Sequence, residues 1–195
     1  MPKDERPIAV FDSGLGGLTV VRELRHHLRN EEIVYFGDTA RVPYGTKTAE
    51  TVLRFARQNC AFLQRLNPKC IVAACNTVSA VCLPALADEL SVPLLGVVAP
   101  GATAAVDAVG ERDLIAVIAT EATIGYKNAI HAIDPRQAVV QTSCPLFVSI
   151  VEEGLDSDDP IVSILVERYL APIKRLSPAA VVLGCTHYPM LRDAL

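Results

Sequence analysis

The chain has 195 residues, a net charge of -4 and a mean hydropathy of +0.32, with 51% hydrophobic and 5% aromatic residues. This length makes one large domain or two compact ones. No run of Lys and Arg exceeds two residues, so direct nucleic-acid binding is not expected.

The hydropathy raises the question of a membrane. The uncharged stretches 70–87 and 90–106 come near the ~18 apolar residues that suggest a spanning helix. They are interrupted by Asn76, Thr77, Ser79 and Pro84 in the first and by Pro93, Gly96, Pro100 and Gly101 in the second. Strands buried on both faces of a parallel sheet account for the hydropathy better, and no membrane association is expected. The start carries Lys3, Asp4, Glu5 and Arg6 with no apolar stretch behind it, so no signal peptide is expected. The six cysteines Cys60, Cys70, Cys75, Cys82, Cys144 and Cys185 form no C-x-x-C pair and read as free thiols in a reducing cytoplasm. The spacing of Cys70, Cys75 and Cys82 does not suit zinc, and no metal is expected.

In chain order, short apolar runs predict strands at 8–11, 33–36, 71–74, 94–98, 114–118, 138–141 and 180–183. Between them lie segments with helical spacing. Leu18, Val21, Leu24 and Leu28 mark one apolar face, and Val52, Phe55, Ala56, Leu63 and Leu66 mark another. Ile161, Leu165 and Tyr169 mark a third, opening after an acidic stretch that ends at Asp159 and suits a helix N-terminus. Alternating strands and helices predict an α/β fold with mainly parallel sheets.

The chain also repeats itself. Ile8-Ala9-Val10-Phe11-Asp12-Ser13 is similar to Ile115-Ala116-Val117-Ile118-Ala119-Thr120, at an offset of 107. Ala74-Cys75-Asn76-Thr77 is similar to Gly184-Cys185-Thr186-His187, at an offset of 110. Chance agreement of apolar strands is the competing reading. The matches predict two similar three-layer α/β halves, 1–98 and 99–195, with a cleft between them. Ligands in such folds bind beyond the carboxyl ends of strands. Those ends here carry Asp12-Ser13, Gly37-Asp38-Thr39, Cys75-Asn76-Thr77, Thr120 and Cys185-Thr186-His187, which places Cys75 and Cys185 opposite each other.

Two thiols on opposite sides of a carbon can invert it, one removing a proton and the other returning one from the far face. Each follows a strand and precedes a predicted helix, where the dipole and free N–H groups favour a thiolate. Asp12 and His187 are the candidate helpers, against readings as a helix cap and a structural histidine. Cys60, Cys70, Cys82 and Cys144 read as buried structural thiols. Lys3, Lys47, Lys69 and Lys174 do not stand at a strand end, so a Schiff-base cofactor has no evident anchor. The loop Ser13-Gly14-Leu15-Gly16-Gly17 could form an anion nest. As a dinucleotide motif with Asp38 on a ribose it fails at its third glycine, which falls on Thr19. The turn Arg41-Val42-Pro43-Tyr44-Gly45 reads equally as a binding loop or a connection. A cysteine hydrolase using Cys185 and His187 is a further alternative, but it leaves Cys75 without a role.

Taken together, Phe11-Asp12-Ser13-Gly14-Leu15-Gly16-Gly17, Gly37-Asp38-Thr39-Ala40-Arg41 with Pro43-Tyr44-Gly45, Ala74-Cys75-Asn76-Thr77 and Gly184-Cys185-Thr186-His187-Tyr188-Pro189 resemble the motifs of the aspartate/glutamate racemase superfamily. The run from Cys185 to Pro189 is similar to its glutamate branch. The resemblance implies cofactor-free interconversion of L- and D-glutamate, supplying D-glutamate for peptidoglycan and cell-wall biogenesis in the cytoplasm. It implies Cys75 and Cys185 as the acid/base thiols, helped by Asp12, His187 and Glu152. It implies a substrate set of Asp12, Ser13, Tyr44, Gly45, Asn76, Thr77, Thr120, Thr186 and His187. Members of the family often dimerise, so a homodimer is an expectation, and some bind and inhibit DNA gyrase, a binding-only alternative. Family members also run several dozen residues further. Against that pattern the end at Leu195 predicts an uncovered strand edge on the first half and reduced stability or activity.

Overall fold

The structure, a computed structural model, describes residues 4–123 and 125–195, so Lys3 of the charged start lies outside the described residues. The first sheet is built from β1 (Ile8–Asp12), α1 (Leu18–His27), β2 (Ile33–Gly37), α2 (Ala49–Gln64), β3 (Cys70–Ala73), α3 (Asn76–Val81), α4 (Leu83–Ala87) and β4 (Leu94–Gly96). The second is built from α5 (Val98–Asp107), β5 (Leu114–Ala119), α6 (Gly125–Ile133), β6 (Ala138–Ser143), α7 (Leu146–Glu152), α8 (Pro160–Lys174) and β7 (Ala180–Gly184). Two 3₁₀ turns, Glu121–Thr123 and Tyr188–Leu191, complete the described elements.

All strand pairs are parallel. The orders are β2-β1-β3-β4 and β6-β5-β7. The internal repeat has a structural counterpart here. β1 and β5 are the central strands, each flanked by the next strand in sequence and by the strand that leads to a thiol. β1 is buried throughout and β5 from Ile115 to Ala119, as parallel strands covered on two faces must be.

Side chains alternate across each strand, so each sheet makes two cores. Ala9, Phe11, Ile71 and Ala73 pack under α2 and α3 on Val52, Ala56, Leu63 and Val78. Ile8, Val10, Val72 and Ala74 face Val20, Val21 and Leu24 of α1. In the second half Ala116 and Ile118 meet Phe147, Val162 and Ile173 of α7 and α8. Ile115, Val117 and Ala119 meet Ala102, Tyr126 and Ile130 of α5 and α6.

Four expectations shift. The strand expected over 94–98 ends at Gly96, and Val98 opens α5. Pro100 falls in the first turn of α5, where its missing N–H has no helical partner to lose. Leu66 lies beyond the end of α2 and is 42% exposed. Asp159 caps α8, its Oδ1 accepting from Ile161 N at 2.8 Å, but the buried stripe runs through Val162, Leu170 and Ile173 while Ile161 is 53% exposed. Ile161, Val162, Ile164, Leu165 and Val166 are all apolar, so periodicity could not choose between adjacent stripes. No residue of α1 is fully buried: Leu18 and Leu28 at its ends are 45% and 40% exposed, because only its middle overlies the sheet. Among the described residues no helix is long and apolar enough to cross a membrane.

Cys60, Cys82 and Cys144 are buried in these cores. Burial pushes their thiols up from 9.0 to about 12, about 11 and about 12. A group whose value is raised on folding contributes stability that is whole below its unfolded value and lost as pH rises toward the folded one. The melting temperature is therefore expected to hold up to pH 9.0 and to fall above it. Thermal melts across that range check this, and Cys60→Ala should make the fall shallower.

Candidate active site

Parallel strands deliver their carboxyl ends to one side. Asp12 closes β1, Cys75 stands two residues past β3, Thr120 follows β5 directly and Cys185 follows β7 directly. Between the two sheets these ends enclose a cleft of about 10 Å³. The first half lines it with Ser13, Pro43, Tyr44, Gly45, Cys75, Asn76 and Thr77, and the second with Thr120, Val148, Cys185, Thr186 and His187. Ten of the twelve expected site residues thus meet in one place. Asp12 and Glu152 stand just behind it. A larger, mostly apolar depression lies against β7 around Leu170, Ile173 and Leu195, and none of the twelve expected site residues lines it.

Both thiols are almost fully buried. Cys75 precedes α3, and burial pushes its thiol up to about 12, with the negative charge of Asp12 adding to the shift; the N–H groups of Val78 and Thr77 and the Ser13 hydroxyl pull the other way. Cys185 is raised further by burial, opposed chiefly by the His187 N–H. Its Sγ lies 3.7 Å from His187 Nδ1. Burial thus favours the protonated form of both sulfurs, while donors already arranged around each favour a thiolate.

The glycine loop is not an open anion nest. Asp12 Oδ2 accepts from Gly14 N at 3.2 Å and Gly17 N at 3.0 Å, and Glu152 Oε1 accepts from Leu15 N at 3.2 Å. The loop is filled by the chain's own carboxylates, which removes the dinucleotide reading; Asp12 braces the loop, while α1 itself has Gly17 as its N-cap and no side-chain cap. Burial raises the Asp12 carboxyl, opposed by His187 and by the N–H groups of Gly14, Gly17 and Ser13. Glu152 Oε1 also meets His187 Nε2 at 2.5 Å, so Glu152 joins the first-half loop to the second-half imidazole.

Other hydrogen bonds cross the cleft. Thr186 Oγ1 donates to Asp12 Oδ1 at 3.3 Å. Thr77 Oγ1 lies 3.2 Å from Thr120 Oγ1 and 3.4 Å from Thr123 Oγ1. The Tyr126 hydroxyl donates to Asn76 Oδ1 at 2.6 Å, which leaves the Asn76 amide N–H groups for the cleft. The sequence reading missed Thr123 and Tyr126. Thr120 and Thr123 share a spacing of three, a usable signal for one hydroxyl cluster. Tyr126 carried none, because its partner lies in the other half. Tyr126→Phe strands the buried Asn76 carbonyl and is expected to cost about 1–3 kcal/mol, read by denaturant unfolding. The fifth lysine, Lys127, sits in α6 and does not line the cleft either.

The family described as Asp/Glu/Hydantoin racemase matches residues 16–195. The chain belongs to this family. A glutamate racemase of Geobacter metallireducens is 46% identical over 193 residues, spanning 97% of this chain and 71% of the relative. One of Thermus thermophilus is 48% identical over 195 residues, spanning 100% and 72%. The crystal structure of glutamate racemase from Francisella tularensis in complex with D-glutamate superposes with a TM-score of 0.89 at 41% identity, covering 98% of this chain and 73% of that one. The α/β architecture with two parallel sheets is thus the architecture of the family.

Proposed function

We propose that the chain interconverts L- and D-glutamate without a cofactor, using Cys75 and Cys185 as the two acid/base groups. The observation that carries this reading is the pair of thiols in one cleft, each supplied by the equivalent strand of a repeated half. In one direction the Cys75 thiolate takes the α-proton. The Cys185 Sγ–H then gives its proton to the opposite face of the resulting carbanion. Cys75 ends as the thiol and Cys185 as the thiolate, and the reverse reaction exchanges the roles. By the resemblance, Cys75 acts on D-glutamate and Cys185 on L-glutamate.

The burial that raises both thiols also exposes a bound substrate to undamped charge, so its ammonium group stabilises the thiolate beside it. Asp12 acts beside Cys75 and His187 beside Cys185, with Glu152 holding the imidazole. The hydroxyls of Ser13, Thr77, Thr120 and Thr186, the Asn76 amide and the segment Tyr44-Gly45 receive the two carboxylates. The halves 1–98 and 99–195 serve as the two domains, and the D-glutamate formed feeds peptidoglycan synthesis in the cytoplasm.

The hydrolase alternative draws some support from the Cys185, His187 and Glu152 chain of contacts. It leaves the second thiol idle, and the relatives compared above are glutamate racemases. The test is proton NMR of L- and D-glutamate with the chain in D2O, followed together with optical rotation. The expected result is loss of the α-proton with inversion from either enantiomer; an acyl-thioester with no exchange would sink the reading.

A further inference from the structure

The strongest sequence signal that the proposed chemistry leaves unused is Asp38 with Arg41. The structure places both behind the turn that leads to the cleft. Arg41 Nε pairs with Asp38 Oδ2 at 2.6 Å, and its terminal nitrogens donate to Asn59 Oδ1 at 2.9 Å and to Gln58 Oε1. The guanidinium lies over the Phe55 ring, 4.3 Å from its centroid. The Tyr44 hydroxyl donates to Asp38 and accepts from Asn59 Nδ2 at 3.1 Å. Asp38, Tyr44 and Asn59 are buried.

The Tyr44 hydroxyl is therefore fully engaged away from the cleft that the residue lines. What the turn offers the cleft is backbone. Gly45 is buried, lines the cleft and has no acceptor for its N–H among the described residues. A buried N–H without a partner is uncommon and fits a site waiting for an anion. A Cβ at Gly45 would come within 2.5 Å of Thr120, so the turn sits hard against the second half and has little freedom of position.

We infer that Asp38, Arg41 and Asn59 are positioning residues, a buried anchor that holds Tyr44-Gly45 where its backbone meets a substrate carboxylate. The inference rests on the racemase reading. Arginine suits the role, since its planar fork reaches Asp38, Asn59 and Gln58 together, which a lysine cannot do. The carboxylate is held alike before and during proton transfer, so loosening the anchor weakens binding more than it slows chemistry.

The experiment is steady-state racemisation by Arg41→Lys, Asp38→Asn and the milder Tyr44→Phe, with thermal melts of each. Expected is a rise in KM of about tenfold for Arg41→Lys and Asp38→Asn, with kcat within about threefold and a smaller rise for Tyr44→Phe. A purely structural role would instead lower kcat with the folded fraction and leave KM alone, and that pattern would overturn the inference. Should Asp38→Asn fail to fold, Arg41→Lys and Tyr44→Phe decide by the same split. Absence of α-proton exchange in the unaltered chain would overturn the racemase reading and this inference with it. Exchange with an unchanged KM in the variants would overturn this inference alone.

Discussion

Cys75→Ser and Cys185→Ser should each lower racemisation by about 10²–10⁴-fold, the usual worth of a positioned acid/base group. Serine keeps the shape of the site, but its hydroxyl neither ionises within reach of neutral pH nor replaces the thiol as an acid. In the proposed mechanism the two thiols act as a unit, so the double variant should be little worse than either single one. The pair predicts a finer signature. In Cys75→Ser the remaining thiol can still remove the α-proton of the enantiomer it faces and return deuterium to the same side. Each single variant should thus exchange one enantiomer in D2O without inverting it, and the two variants should choose opposite enantiomers. Exchange of both enantiomers by one variant would rule out two separate bases.

Gly45→Ala is expected to lower kcat/KM by about 10²-fold while the chain still folds, since a displacement of about 1 Å near the reacting groups costs that much. The added carbon would sit 2.5 Å from Thr120 Cβ and 2.6 Å from its Oγ1 and Cγ2, with no flexible end to move aside. The clash lies between halves and not within either core. Melting should therefore change far less than turnover. Kinetics and melting on the same preparation check this, and an unchanged kcat/KM would mean that the turn and Thr120 separate easily.

The fold was legible because its signals are local. Seven short apolar runs became seven strands, and the offsets of 107 and 110 marked the equivalent strands β1 and β5 and the ends of β3 and β7. What stayed hidden was geometry that no period encodes. The buried stripe of α8 was one residue away from the expected one because the neighbouring stripe is equally apolar. Asp12 and Glu152 also brace the glycine loop, Asp12 Oδ2 accepting from the N–H groups of Gly14 and Gly17 and Glu152 Oε1 from that of Leu15, which no spacing in the sequence announced. Asp38 invited comparison with a ribose partner and instead meets Arg41, three residues away. Tyr126 and Asn76 are 50 residues apart, and only the docking of one half on the other joins them.

The volume of the cleft has a consequence for affinity. About 10 Å³ admits roughly one water, so an amino acid cannot enter the arrangement described here. On the proposed function, binding then begins from a population in which the cleft is wider, and the apparent dissociation constant is the intrinsic one divided by the fraction in that population. The bond from Tyr126 to Asn76 and that from Leu15 to Glu152 hold the halves together and so lower that fraction. On that reading substrate affinity is set in part by contacts that join the two halves, and loosening them trades rigidity for easier entry.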